Sequence, residues 1–240
     1  MSAAGANYMT GLVGNVSIPV YSGSNVGWAG EIAAAADGAG TFSEVTLEPK
    51  RITAYIDVSK QFLLQDSVSA EALIRADIVR AISNKLEETI LGNAAGSTTQ
   101  PKGLFNGATA LADTSYKTMV ELVKTLEEAN VSGDLKYIVS PAAKAALKTT
   151  AKDAGSGLFV MEGNEIDGLP VLSTSACKGI VLGNFNDYVI GQWGGIDLTI
   201  DPYSQATNGK VRLIVNAYFD AKPRRAEAFV AKTLPTTASK

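Results

Sequence analysis

The residues able to do chemistry are few and badly placed for it. Gly155-Ser156-Gly157 has the look of a nucleophile turn. The spaced Gly-x-Ser-x-Gly that exposes such a serine is absent, and no histidine exists anywhere to take its proton. The segment is expected to be a loop. Cys177 is the only cysteine. One thiol supports neither an intrachain disulfide nor a Cys-x-x-Cys metal site. The pairs Glu87-Glu88 and Glu127-Glu128 are adjacent. On a helix, neighbours point in different directions, so neither pair can clamp a substrate and both are expected on solvated faces. Asp197 and Asp201 share a face of a strand but lack the further oxygens that calcium needs. Gly209-Lys210 lacks the rest of a phosphate-binding loop and is expected to be a hairpin turn. Asn15-Val16-Ser17 and Asn130-Val131-Ser132 match a glycosylation pattern that carries no weight without an export signal.

The absence of histidine removes Ser-His-Asp hydrolases, Cys-His proteases, His-ligated metal or haem sites and imidazole pH switches. No catalytic residue, metal ligand or cofactor site is assigned. The one concentrated basic patch is Arg224-Arg225. It could pair with acidic residues of a neighbouring subunit, hold phosphate, or protect an edge strand. Trp28 and Trp193 come with no cofactor motif and are expected to anchor packing or an interface.

Positioning these residues falls to a chain of 240 residues that is 46% hydrophobic and 19% charged. That is enough apolar surface for a sizeable core, so wholesale disorder is excluded. The net charge of −3 excludes a global basic field for nucleic acid. No apolar run approaches the ~20 residues of a membrane helix. With no basic segment leading an apolar core at the N-terminus, the chain is expected to be soluble and not exported.

Residues 1–40 are rich in Gly, Ala, Ser and Asn and suit an extended arm, with 31–40 (EIAAAADGAG) as a loop tip or a short Ala helix. Period-two alternation follows at Val45 and Leu47, then Ile52, Ala54, Ile56 and Val58, with Pro49-Lys50 between. This predicts a β-hairpin or a pair of long strands. From Ser69 to Leu91, apolar residues at Ile74, Ile78, Ile82, Leu86 and Ile90 predict a long helix, with Ser69 as N-cap, Glu71 in its first turn and Gly92-Asn93 as its stop. Beyond it, a turn at Pro101-Lys102-Gly103 is expected to pack back through Leu104 and Phe105. Alternating α and β comes next: a helix over 115–129, a strand at Tyr137–Val139, and Ser140-Pro141 opening a helix to about 150. Strands are predicted at 169–173, 179–182 and 188–192, then two or three long ones over 196–233.

In this order the features resemble one family. The resemblance is carried by Gly27-Trp28-Ala29-Gly30-Glu31, by Phe42 to Arg51 (FSEVTLEPKR), and by Val58 to Ser67 (VSKQFLLQDS). The helix ending Ile90-Leu91-Gly92-Asn93, the Pro101-Lys102-Gly103-Leu104 turn, Gly168-Leu169-Pro170-Val171, Gly183-Asn184-Phe185 and Arg224 to Phe229 (RRAEAF) complete the series. The chain is similar to the major capsid proteins of tailed bacteriophages of the Hong Kong ninety-seven type.

The resemblance implies an α+β fold with an N-terminal arm over 1–24, an extended β-hairpin loop over 25–65 and a peripheral domain over 66–115 with a long spine helix. An α/β axial domain over 116–195 and peripheral return strands over 196–240 follow. It implies a homo-oligomer: hexamers and pentamers closing into an icosahedral head around double-stranded DNA that is contacted weakly, in a virion assembled in the host bacterial cytoplasm. Scaffold, portal and cement proteins are the implied partners, and no membrane is. Expected inter-subunit contacts are Trp28, Glu31 and Phe42 on the extended loop, Lys50, Arg51 and Lys60 along its strands, and Arg224 and Arg225 on the terminal strand.

Two departures matter. Some members cross-link a loop lysine to a neighbour's asparagine with help from a glutamate, but the tip from Ile32 to Gly40 has no lysine, and Asn216-Ala217-Tyr218 stands where the glutamate is sought. Non-covalent locking is therefore expected. Many members also carry a removable scaffolding segment of about a hundred residues, of a kind proteases reach. None precedes the arm, which is expected of a processed form or of a separate scaffold protein. Two rivals differ in their demands: an encapsulin-like nanocompartment would keep the fold and enclose enzymes, and a soluble small-molecule binder would need a concave pocket with convergent polar groups.

Overall fold

The computed structural model describes residues 1–235 apart from 25, 30, 33, 35, 62–66 and 156, and gives only the backbone of 67–72. The Phe62–Asp66 stretch, Ser156 and the cap chemistry of Ser69 and Glu71 therefore lie outside what is described. Three sheets carry the chain. The first has the order β1 (Asn7–Met9), β9 (Tyr188–Asp201), β10 (Lys210–Pro223), β4 (Lys50–Ser59). In the second, β11 (Phe229–Thr233) leads to β8 (Gly179–Asn184), β5 (Leu135–Val139), β7 (Leu169–Ser173) and β6 (Glu165–Ile166). The third is the pair β2 (Val16–Tyr21) and β3 (Phe42–Leu47).

The long helix α1 spans Ser67–Ile90, about 36 Å at 1.5 Å per residue. Its start precedes Ser69, which lies inside the first turn rather than capping it. Its row of Ile78, Ile82, Leu86 and Ile90 is buried as the spacing requires, in one core with Val215, Ala217 and Phe219 of the first sheet and Ile138 and Val181 of the second. One helix thus welds two sheets. Its C-terminus is closed by the 101–105 turn: the Leu104 N–H donates to Ile90 O at 2.8 Å and the Phe105 N–H to Gly92 O at 2.9 Å. Position 103 must be glycine there, because a Cβ would lie 2.1 Å from Gly92 O.

The second sheet is covered on both faces, and its strands alternate accordingly. Ile138 and Val181 face α1, while Tyr137, Val139, Ile180 and Leu182 pack on α2 (Tyr116–Glu128) and α3 (Pro141–Thr149) through Met119, Leu122, Leu126, Ala143 and Leu147. A strand buried on both sides reads as an unbroken apolar run, as Gly179–Gly183 does. Both helices start where the residues indicate. Ser115 and Ser140 accept from the N–H groups of Thr118 and Ala143, with Pro141 opening α3.

The alternating stretches 42–47 and 50–59 are two strands, but not one hairpin. β3 pairs antiparallel with β2, and β4 pairs antiparallel with β10 over Lys50–Ser59. The break falls at Glu48-Pro49, where the chain passes from one sheet to the next. The extended hairpin is therefore β2–β3, and Val16–Tyr21 belongs to it rather than to a free arm. The described residues of 31–40 form a turn and coil, not an Ala helix. β9 continues past position 195 with a bulge, where its register against β10 shifts between Asn216 and Tyr218, and β11 joins the sheet of β5 and β8.

Candidate functional site

The chemically able side chains are dispersed. Cys177 is 3% exposed, and its Sγ donates to Gly179 O at 3.3 Å. Burial pushes the thiol up to about 11. Glu88 and Glu128 are tied to Lys85 at 3.0 Å and Lys124 at 3.3 Å on their own helices. Asp201 accepts from the Tyr203 and Ser204 N–H groups and the Ser204 hydroxyl, which hold its carboxyl below the usual range. Gly209 closes the connection into β10 with a φ of 63°. Among the described residues, no group of three or more His, Cys, Asp or Glu gathers to hold a metal ion, and no helix is long and apolar enough to cross a membrane.

The surface that remains is built by the β2–β3 hairpin and the segments beside its base. The hairpin is anchored where Leu47 packs with Val189 and Trp193, and the Trp193 indole N–H donates to Gly14 O at 2.6 Å. Trp193 is thus a packing anchor. At the far end of the ladder, the Tyr21 and Phe42 rings meet at a tilt of 37° with centroids 4.7 Å apart. Phe42 is 80% exposed, and in the connection beyond the ladder Trp28 is fully exposed and Glu31 exposed.

Lys50 is different. Only 6% exposed, it places Nζ 2.8 Å from Asp220 Oδ1, and Asp220 is completely buried. Asp220 also accepts from the Glu48 N–H at 3.1 Å and the Ala221 N–H at 2.9 Å. The lysine is taken up inside its own subunit, pinning the β3–β4 crossing to β10. Sequence could not assign it, since its partner lies 170 positions away. Arg51 and Lys60 are exposed at opposite ends of β4. Between them, Arg212 grips Asp57 with two bonds of 2.7 and 2.9 Å and lies 4.2 Å from the Tyr55 ring centroid. That guanidinium holds the Asp57 carboxyl below its ordinary range.

Arg224 and Arg225 lie in the turn between β10 and β11, not on an edge or terminal strand. The Arg224 N–H donates to Asp187 O at 2.7 Å. Their side chains, with Asp187, line a cleft of about 410 Å³ whose other wall is Pro19, Val20, Tyr21 and Phe42 of the hairpin. This brings Phe42 and the arginine pair together. Tyr21 went unassigned in the sequence, because only the observed register of β2 against β3 places it opposite Phe42.

Comparison with known proteins agrees with this architecture. The model of the phage capsid family matches residues 3–233. The major capsid protein of Halomonas phage phiHAP-1 is 28% identical over 238 residues, covering 95% of this chain. The chain spans 39% of that relative's length. Among solved structures, the capsid of an empty GTA particle superposes with a TM-score of 0.76 at 17% identity, covering 95% of this chain and 87% of the other. A chain of Mycobacterium phage Bobi does so with a TM-score of 0.77 at 14% identity, covering 97% and 89%. At these identities the likeness is one of fold: α+β, of the Hong Kong ninety-seven type. With the family match running from residue 3 to residue 233 and the architecture shared along the whole length, this chain belongs to the phage capsid family.

Proposed function

We propose that this chain is the coat subunit of a tailed-phage head, a structural protein rather than an enzyme. Its copies assemble through hexamers and pentamers into an icosahedral shell around double-stranded DNA. The observation that carries this reading is the family match over 3–233. The β2–β3 hairpin adds physical support: beyond Phe42 it exposes apolar side chains at Val26, Trp28 and Ile32 that bury nothing in their own subunit, as expected of a segment whose ordering energy comes from neighbours. Trp28, Glu31, Phe42, Arg51, Lys60, Arg224 and Arg225 are the proposed contacts. In domain terms, the hairpin is the extended loop, α1 with the β9–β10–β4 sheet the peripheral part, and the β5–β8 sheet with α2 and α3 the axial part. Scaffold, portal and cement proteins are the proposed partners, with assembly in the host bacterial cytoplasm.

Negative-stain electron microscopy of the purified chain at modest salt tests the reading. Closed shells, or rings of five or six subunits, are the expected result; a monomer at every concentration overturns it. Shells found filled with a cargo enzyme instead of DNA would make the protein a nanocompartment. A net charge of −3 supports enclosure of DNA rather than tight binding, so nanomolar affinity for free duplex at physiological salt contradicts the proposal. Because the loop tip lacks lysine, boiled shells run as monomer on SDS gels. A covalent ladder refutes non-covalent locking.

A further inference from the structure

The charges of this chain are divided along its length. All 21 lysines and arginines fall at or after residue 50, whereas four carboxylates, Glu31, Asp37, Glu44 and Glu48, precede it. The hairpin and its loop therefore form a purely anionic limb. Its outer part combines that charge with a fully exposed indole at Trp28, an exposed Ile32 and an exposed Glu31. A segment of this composition needs a partner surface that is both cationic and aromatic-lined.

The molecule offers such a surface beside the hairpin itself. Several cations of the body are already matched: Lys117 and Lys124 have helix carboxylates at 4.0 and 3.3 Å, and Arg212 and Lys50 are held as described above. A cleft of about 580 Å³ beside Lys102 and Lys222 contains its own Glu44, and the Lys222 ammonium is bonded to Thr46 O. Arg224 and Arg225 differ. Among the described residues neither makes an ion pair; Arg225 reaches only Ala129 O at 3.4 Å. Their cleft of about 410 Å³, walled by Tyr21 and Phe42 and lined by a single acid, Asp187, against the two arginines, is within the size range that encloses an aromatic group. Arginine and tryptophan together are the usual anchors of protein contacts, through stacking as well as charge.

We infer that the Trp28–Ile32 end of one copy's hairpin seats in the Arg224/Arg225 cleft of a second copy, the indole against Tyr21 and Phe42 and the Glu31 carboxylate on the arginines. This rests on the coat reading and specifies its interlock. The docking is reciprocal in pattern but not self-complementary: each copy gives a tip and offers a cleft, so the contact propagates head to tail and closes rings when the rotation allows.

Charge reversal tests it on the full chain. Glu31→Arg, and separately Arg224→Glu with Arg225→Glu, each raise the critical concentration for assembly, followed by light scattering, about tenfold. All three substitutions in one chain return it near the wild-type value. Mixing the two defective proteins also restores assembly, because an unaltered tip then meets an unaltered cleft and a reversed tip a reversed cleft. On assembly the Trp28 emission shifts to the blue, with buried Trp193 as the constant background. Wild-type shells whose critical concentration neither reversal moves overturn the docking and leave the coat reading intact; a wild-type chain that never assembles removes both. Rescue within one chain but not by mixing would place the tip on its own cleft. Unchanged assembly with loss of a salt-sensitive affinity for duplex DNA would assign the arginines to phosphate. Either result overturns the inference.

Discussion

Replacing Lys50 by methionine tests how the extended hairpin is held to the body. Asp220 is fully buried and receives three donors: Lys50 Nζ at 2.8 Å, the Glu48 N–H at 3.1 Å and the Ala221 N–H at 2.9 Å. Lys50→Met keeps the aliphatic stem and removes the one full positive charge, leaving a carboxylate in the interior with two backbone dipoles. Breaking a buried pair from one side costs about 3–5 kcal/mol. Asp220→Asn strands the ammonium instead and falls in the same range. The double variant leaves neither charge, so its cost reduces to that of imperfect polar satisfaction, about 1–3 kcal/mol. The coupling between the two sites is then a few kcal/mol, well above what an exposed pair gives. Urea unfolding of unassembled subunits, followed by far-UV circular dichroism, measures all three. With a slope of about 3 kcal/mol/M, Lys50→Met lowers the midpoint by about 1–1.7 M. The reasoning fails if Lys50→Met costs under about 1 kcal/mol, or if the double variant costs the sum of the singles.

Gly103→Ala drives a methyl to 2.1 Å from Gly92 O, so the turn that closes α1 must shift; a loss of about 1–3 kcal/mol is expected, and unchanged urea stability contradicts the packing described. Cys177, with a thiol pushed up to about 11 by burial, resists aromatic disulfide reagents at pH 8 in the folded chain and reacts fully in denaturant; rapid labelling of the native protein rules that environment out. Asp113 accepts from the Ser115 and Thr118 hydroxyls, each at 2.6 Å, and from the Ser115 N–H at 2.9 Å, which lower its carboxyl from 3.8 to about 2. Its stabilisation is complete above the unfolded value and disappears as the pH falls through the folded one. The stability gap between wild type and Asp113→Asn therefore narrows between about pH 4 and pH 2; a gap independent of pH there refutes the assignment.

Much of the local structure was legible because it is encoded by near neighbours. The four-residue spacing from Ile74 to Ile90, the Ser115 and Ser140 caps and the double-sided run Gly179–Gly183 each specify an element without reference to the rest of the chain. Strand pairing was not legible in the same way. Val45-Leu47 and Ile52-Ala54-Ile56-Val58 show the same period two whether they pair with each other or with β2 and β10. Alternation states only that one face of a strand is buried.

The amino-acid sequence by itself determined what this protein lacks and what its elements are: no histidine, one thiol, a long apolar-striped helix and a series of segments in capsid-family order. Tertiary structure decided which of its charges are spent and which are left over. Lys50 and Arg225 are both plain cations in sequence, yet one is sealed against Asp220, 170 positions away, while the other lines a cleft against the hairpin's aromatic end. The reason is physical. A helix or cap is settled by contacts a few residues apart, whereas the fate of a charge depends on which distant backbone folds over it and whether that backbone brings a carboxylate.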